Sequence, residues 1–587
     1  MFQSFDDATS PDQGPPRLKA LQQQLEKEGF HGFLIPRADA YQGEYVAPSD
    51  DRLAWLTGFT GSAGFCAVLR DIAGVFIDGR YRVQVKAQVD TDHYTPVAWP
   101  ETKPGPWLKQ HLPEAHKMAY DPWLHTKSEL EAIENSGVTL VTTSNLVDRI
   151  WTDRPAPPMG KIAVQPLELA GESHDDKRAR LAAQLHDAGH DAAVLTLPDS
   201  IAWLLNIRGT DIKRNPVPHC FAVLHADASV DLFVAAEKLS EIGDHLGGEV
   251  RIHSPDAFLG ELAGLKGTIR VDKSSAPAIV SQTITAEVVW DEDPCILPKA
   301  RKNAVEIEGA RAAHIRDAHA MVNFLAWLDS QKPGLTEIDV VTALEGFRAE
   351  TNALRDISFE TIAGAGPNGA IVHYRCTKTT NRAVKDGELL LVDSGGQYVD
   401  GTTDITRTVV MGTPTREQCE CYTLVLQGMI ALSMARFPRG VAGRDLDALA
   451  RAPLWRHGLD YDHGTGHGVG SYLCVHEGPA RISRLSEVPL KPGMILSNEP
   501  GYYREGAFGI RIENLIVVQD APAMGDKRDQ LSFETLTWVP FDRRLIAVDM
   551  LSPLERQWID GYHAKIAEKL SVQGGVRDWL VAATAPL

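Results

Sequence analysis

No run of about 18 consecutive apolar residues occurs in the chain, so no segment reads as a membrane-spanning helix. The seven cysteines (Cys66, Cys220, Cys295, Cys376, Cys419, Cys421 and Cys474) are odd in number and scattered, with no Cys-x-x-Cys pair. That pattern implies a reducing compartment, and a cytoplasmic location is expected. A basic run is also missing. With 59 Lys and Arg against 78 Asp and Glu, the formal charge is −19, which argues against nucleic-acid binding and suits a protein that concentrates cations. The glycine-rich stretch YDHGTGHGVGSY contains neither Gly-x-Gly-x-x-Gly nor a terminal Gly-Lys-Ser/Thr, so it does not form a phosphate cradle. The opening stretch, MFQSFDDATSPDQGPP, carries acids and prolines where a signal peptide needs a basic start and an apolar core. Secretion is not expected, and the stretch reads as a loose tail.

What remains is an ordinary globular composition, 43% hydrophobic and 23% charged, which excludes a disordered or collagen-like chain. At 587 residues it exceeds one hydrophobic core, and about three domains are expected. Two stretches of the N-terminal half repeat one another. RLKALQQQLEKEGFHGFLIP, from Arg17, is followed by RLAWLTGFTGSAG and FCAVL; RARLAAQLHDAGHDAAVLTLP, from Arg178, is followed by SIAWLLNIRG and CFAVL. In each, leucines at helical spacing (Leu18, Leu21, Leu25; Leu181, Leu185) end at a glycine, Gly29 or Gly189, as at a helix C-cap. An apolar strand and a second helix marked by Ala-Trp-Leu come next. Two similar α/β domains are predicted, residues 1–155 and 156–297, with a boundary near TDRPAPPMGK.

A third domain, residues 298–587, opens with helices. From Asn303 to Leu328 the residues Ile315, Ala318, Val322 and Leu325 share a face. Thr336 and Asp339 then form a capping-box-like start for a helix carrying Val340, Val341, Leu344 and Phe347. Strands and glycine turns follow (ELLLVDSGG, DITRTVVMG, MILSNEPG, RIENLIVV), then a helical C-terminus, which indicates an α+β fold.

The chemistry sits in those strands. LLLVDSGGQYVDGTTDITRTVV reads as a hairpin with Asp393 on one arm, Asp400-Gly401 at the turn and Asp404 on the return. Asp is depleted from strands, so one on each arm needs a reason; either alone reads as a turn residue capping loop amides, and it is the residues downstream that turn the pair into a site. Glu499 follows an apolar strand in ILSNEPG, and Glu513 lies within the apolar run GIRIENLIVV. Carboxylates are rarely buried unless paired or metal-bound, and Arg511 can neutralise only one of the four. His467 lies among alternating glycines in YDHGTGHGVG, which permit close backbone approach, with His463 and His476 nearby. Four carboxylates and one imidazole would be forced to protonate by mutual repulsion unless cations were bound, and two divalent ions balance them. Mostly oxygen ligands with one nitrogen and no thiolate suit manganese or cobalt, with zinc or iron still open. Two such ions sharing an activated water form a hydrolysis site.

These residues resemble the pita-bread metallopeptidases and, within them, the long three-domain cytosolic aminopeptidases P. The resemblance rests on GFTGSAG, FIDGRYR, IAWLLNIRG, GPNGAIVHY, DSGGQYVDGTTDITRT, YDHGTGHGVG, VHEGP and NEPGYY. It implies two creatinase-like N-terminal α/β domains before a pita-bread catalytic domain, and hydrolysis of the N-terminal Xaa-Pro bond by a hydroxide shared between two ions. It implies that Asp393 chelates one ion, that Asp404 and Glu513 bridge, and that His467 and Glu499 complete the second site. His373, His463, His476, Arg511 and Tyr503 correspond to further active-site positions. His476 is expected beside the scissile carbonyl and Glu499 to move protons; Arg511 could instead only orient Glu513, and Tyr503 only pack. The expected partners are peptides with proline second and another copy of the chain, with no nucleic acid and no membrane. A prolidase, cleaving only Xaa-Pro dipeptides, is the alternative enzyme; it typically has one N-terminal domain. A non-catalytic peptide- or histone-binding module is the alternative from another class, although such copies lose ligands.

Overall fold

The computed structural model describes residues 1–112, 116–332, 334–525 and 527–587. The chain forms two compact units, one of Ala8–Ile296 and one of Met1–Asp7 with Leu297–Leu587.

The first unit contains the predicted repeat. Strands β1 (Gly32–Pro36), β2 (Phe65–Leu69), β3 (Ala73–Ile77), β4 (Thr95–Ala98), β5 (Lys117–Tyr120) and β6 (Thr139–Thr142) form one sheet in the order β4-β3-β2-β1-β5-β6. Strands β7 (Ala192–Leu195), β8 (Phe221–His225), β9 (Val230–Phe233), β10 (Val250–His253), β11 (Thr268–Val271) and β12 (Glu287–Trp290) form a second in the order β10-β9-β8-β7-β11-β12. The two orders superpose, and so do the directions. β1 is antiparallel to β2 and parallel to β5, as β7 is antiparallel to β8 and parallel to β11. Ahead of β1 the helix Gly14–Glu28 buries Leu18, Leu21 and Leu25 and ends at Gly29, whose φ of 74° suits glycine. Ahead of β7 the helix His174–Asp187 buries Leu181 and Leu185, with Gly189 at φ 73° two residues beyond its end.

The second unit begins as its pattern predicts. The helix Ala304–Asp329 is capped by Asn303, whose side chain accepts from the backbone N–H groups of Val305 and Glu306. Glu337–Ala349 is capped by Thr336 and Asp339 in a capping box. Ala318, Val322 and Leu325 meet Val340, Val341 and Leu344 in one core, with Ile315 and Phe347 at its margin. That core also receives β13 (Ile362–Ala365), β14 (Glu388–Ser394) and β15 (Ile405–Met411), an antiparallel sheet in which Asp393 pairs with Thr406. A six-stranded sheet has the order β16-β23-β22-β19-β17-β18, with β16 Arg436–Pro438, β17 Gly466–Gly468, β18 Glu477–Ile482, β19 Ile495–Asn498, β22 Asn514–Ala521 and β23 Gln530–Thr535. A two-stranded ribbon, β20 (Gly501–Arg504) with β21 (Phe508–Arg511), lies between β19 and β22 in sequence.

Two expectations need correction. The apolar run RIENLIVV is not one strand: β21 pairs with β20 and β22 with β19, so the chain changes sheets at Ile512–Glu513. Nor are the first seven residues loose. Gln3 is buried, and its side chain exchanges hydrogen bonds with the backbone of Thr361 at 3.2 and 2.8 Å.

Candidate metal centre

Each acidic residue sits where an element ends. Asp393 is the penultimate residue of β14, Asp404 directly precedes β15, Glu499 directly follows β19 and Glu513 occupies the break between β21 and β22. Strand ends of both sheets converge here, which brings together carboxylates more than a hundred residues apart in sequence. Ligand atoms of Asp393, Asp404 and Glu513 all lie within 4.8 Å of one another, as do those of His467, Glu499 and Glu513, and those of Asp404, His467 and His476. His467 Nε2 is 3.4 Å from Asp404 Oδ2 and 3.5 Å from Glu499 Oε1.

The glycines around His467 make this approach possible. A Cβ on Gly466 would lie 2.0 Å from the Ser497 carbonyl oxygen, and one on Gly468 would lie 2.2 Å from that of Glu477. Between His467 and Gly468 the register of β17 against β18 shifts, a bulge that re-aims the side chain. His467 Nδ1 lies 2.9 Å from the Gly468 carbonyl oxygen, to which it can only donate. This orients the ring so that Nε2 faces the carboxylates.

Three carboxylate oxygens, Asp393 Oδ1, Asp404 Oδ1 and Glu513 Oε1, are buried without a hydrogen-bond donor. Two of their companion oxygens are held. Asp393 Oδ2 accepts from Arg511 at 2.6 and 3.2 Å, and Glu513 Oε2 accepts from Thr406 Oγ1 at 2.9 Å. Burial, with the neighbouring carboxylates next, holds Asp404 and Glu513 well above the ordinary carboxylate range; burial also raises Glu499, opposed by His467 and Arg511. Buried, converging, unpartnered and mutually repelling oxygens fit divalent cations, which neutralise such a set.

Arg511 pairs with Asp393 and not with Glu513, which corrects the orienting role weighed for it. Burial opposes its charge, but Tyr503, Asp393 and Glu499 outweigh that, and the guanidinium stays charged. Tyr503 does more than pack. Its hydroxyl accepts from Arg511 Nη1 at 2.6 Å and lies 2.9 Å from His463 Nε2, whose Nδ1 in turn lies 2.8 Å from the Gly464 carbonyl oxygen. Burial pushes Tyr503 up to about 12, so it remains a donor at neutral pH. His476 stands edge-on to His467, ring centroids 4.4 Å apart. For His373 the placement is through its neighbour, since the Val372 carbonyl accepts from Arg511 at 3.3 Å.

Several residues escaped the sequence reading. Thr406 and Ser497 each touch a candidate ligand, Ser497 Oγ donating to Glu499 at 3.1 Å and accepting from the His467 N–H at 2.9 Å. Their signal was only polarity within an apolar strand. Glu477, next to His476, is buried between Lys299 and Lys302, a pairing across more than 170 residues that no local pattern shows.

Comparison with known proteins agrees with this architecture. Residues 308–520 match metallopeptidase family M24 and residues 529–587 the C-terminal region of peptidase M24; residues 17–150 and 153–306 match creatinase/prolidase N-terminal domains. The chain is similar to Aminopeptidase P1 of Lotus japonicus, 37% identical over 94% of this chain and 96% of that one. It is 39% identical to a probable Xaa-Pro aminopeptidase P of Talaromyces stipitatus over 97% and 92% of the two chains. Its fold matches that of the X-prolyl aminopeptidase from Caenorhabditis elegans, described as a cytosolic enzyme with a di-nuclear active site, with a TM-score of 0.91, 32% identity and coverage of 97% of this chain and 99% of that one. A prolidase from Pyrococcus horikoshii, 23% identical with a TM-score of 0.51, shares the fold over 62% of this chain and 99% of its own. With near-complete overlap with such relatives, the chain belongs to metallopeptidase family M24 and, within it, to the Xaa-Pro aminopeptidases P.

Proposed function

We propose that this enzyme removes the first residue from peptides whose second residue is proline, using two divalent ions held by Asp393, Asp404, His467, Glu499 and Glu513. The observation that carries this reading is the buried group of Asp393, Asp404 and Glu513, each with one oxygen that has no hydrogen-bond donor, sharing Asp404 and Glu513 with the groups that contain His467. Asp393, Asp404 and Glu513 would hold metal as one group of ligand atoms and His467, Glu499 and Glu513 as another, with Asp404 also grouped with His467 and His476. Oxygen-rich ligation with a single imidazole favours manganese. Divalent ions in such a nest supply an activated water and polarise a carbonyl.

The remaining steps belong to the protein. Glu499 carries the proton released by the attacking water toward the departing proline nitrogen. Arg511 holds Asp393 Oδ2 so that Oδ1 faces the site. His476, within reach of Asp404 and His467, hydrogen-bonds the scissile carbonyl. His463 has both ring nitrogens engaged by Tyr503 and Gly464, so its ring serves as a wall; with His373 it bounds the space for the prolyl ring. A bond before proline lacks an N–H, and the ring fixes φ near −65°, so shape is the available basis for recognition. A cytoplasmic location is part of the same reading, supported by seven cysteines with no disulfide among the described residues and by the cytosolic C. elegans neighbour; a homodimer is expected from the family resemblance alone.

Retention of all five ligand positions speaks against a non-catalytic binding module, and the second N-terminal sheet speaks against a prolidase. The test compares an Xaa-Pro-Xaa peptide, its N-acetylated form, its alanine analogue and the Xaa-Pro dipeptide, with manganese supplied. Only the first should be cleaved efficiently. Cleavage of the dipeptide alone would make the enzyme a prolidase, and equal cleavage of the alanine analogue would make it a general aminopeptidase.

A further inference from the structure

The loop Gly366–Thr380, which carries His373, is gripped from two sides. On its inner side is Glu337, the first residue of the helix Glu337–Ala349 and fully buried. Its carboxylate accepts from the Ala365 N–H at 2.8 Å, from Asn368 Nδ2 at 3.0 and 3.1 Å and from the Tyr374 hydroxyl at 2.7 Å. These donors stand on both sides of His373, so a single buried carboxyl group sets the path of the segment.

On the outer side runs the N-terminal segment that composition marks as a tail. Gln3 pairs with the Thr361 backbone through both atoms of its amide. Arg375, two residues after His373, donates to the carbonyl oxygens of Ser4 at 2.9 Å and Asp6 at 3.1 Å. The Lys378 N–H donates to the Phe5 carbonyl at 2.8 Å while the Phe5 ring packs on the catalytic core, and Thr379 Oγ1 donates to Asp7 at 2.6 Å. The same helix holds the strap, since Glu345 accepts from the Phe2 N–H at 2.6 Å and the Gln3 N–H at 3.4 Å. A surface ion pair such as Lys378–Asp6 contributes little alone. Hydrogen bonds from one buried side chain to backbone and from one guanidinium to two carbonyls hold a defined path.

We propose that residues Gln3–Asp7 are a specificity strap: together with Glu337 they position the His373 loop, and hence one wall of the prolyl pocket. They are positioning residues, since none touches the carboxylate cluster. This rests on the reading of His373 as a neighbour of the prolyl ring. Releasing the strap leaves the metal ligands in place but lets the wall move, so discrimination falls before metal binding does. Displacement of a positioning group by about 1 Å is enough to cost on the order of a hundredfold.

The experiment measures kcat/KM on an Xaa-Pro-Xaa peptide and on its alanine analogue, with metal content and melting temperature, for the full chain, a deletion of Met1–Asp7, Arg375→Met, Gln3→Ala and His373→Ala. The expected result is a proline-to-alanine ratio lowered roughly tenfold or more in the deletion and in Arg375→Met, at unchanged metal content. If the deletion does not fold, Arg375→Met and Gln3→Ala, which cut the strap's bonds singly, decide the matter. A ratio that stays at the full-chain value in the strap variants while His373→Ala collapses it would overturn the strap and leave the pocket standing. A ratio unmoved by His373→Ala itself would overturn the placement of the prolyl ring, and the strap's role with it.

Discussion

Asp404 and Glu513 each belong to two of the groups of candidate ligand atoms, so removing either charge should empty the proposed site more than any other single change. Asp404→Asn and Glu513→Gln are expected to lower bound metal and to reduce peptide hydrolysis by orders of magnitude at a near-normal far-UV spectrum. Normal metal stoichiometry and rate in both would sink the assignment. Thr406 tests the support of the ligands, because its hydroxyl holds Glu513 Oε2 and also accepts from Arg511 at 3.2 Å. Thr406→Val keeps the shape and removes both bonds; metal affinity measured by calorimetry should fall about ten- to a hundredfold. Unchanged affinity would mean that Glu513 is held by packing alone.

His563 lies apart from the site and contributes to acid stability instead. It is fully buried, its Nε2 accepts from the Phe541 N–H, and burial, with Arg543 and Arg407 nearby, lowers it to about 4. The unfolded chain, with a histidine near 6.5, binds the proton first as pH falls. The stabilising difference is therefore complete above about 6.5 and is lost as pH falls toward 4, worth up to about 3 kcal/mol over that interval. His563→Gln should flatten the fall of the melting temperature between pH 7 and 5. A slope identical to that of the unmodified protein would exclude His563 as the cause.

Among the elements, the strand pair around His467 tolerates little. A Cβ on Gly468 would meet the Glu477 carbonyl oxygen at 2.2 Å, and relief would have to part β17 from β18 and move His467 and His476 together. Gly468→Ala is expected to cost more than about 2 kcal/mol of stability, a close overpacking penalty, and to lower metal affinity. A stable, metal-replete Gly468→Ala enzyme would show that the close approach is dispensable. Much of this was legible in the sequence: the alternating glycines marked a close approach, and carboxylates in apolar strands marked the acid cluster. The break at Ile512–Glu513 was not, because both flanks are equally apolar and only the pairing partners, Gly501–Arg504 on one side and Ile495–Asn498 on the other, decide it. The partner of Arg511 was likewise invisible, since Asp393 is 118 positions away and Glu513 only two.

In the whole molecule, the repeated sequence pattern corresponds to two sheets of identical strand order, because each copy carries its own helix, glycine cap and apolar strand. That they cluster as one unit, and that residues 1–7 join the other, is set by long-range contacts such as Gln3 with Thr361, which leave no local signature. The central claim is that a cluster of four carboxylates and one imidazole becomes active only when two cations balance it. The most direct measurement is to strip the purified enzyme with a chelator and titrate manganese back while following cleavage of one Xaa-Pro-Xaa peptide. Activity should be absent in the stripped enzyme, rise with added metal and saturate at two equivalents per chain. Turnover that survives complete stripping, or full activity with one equivalent and no further gain from a second, would contradict it.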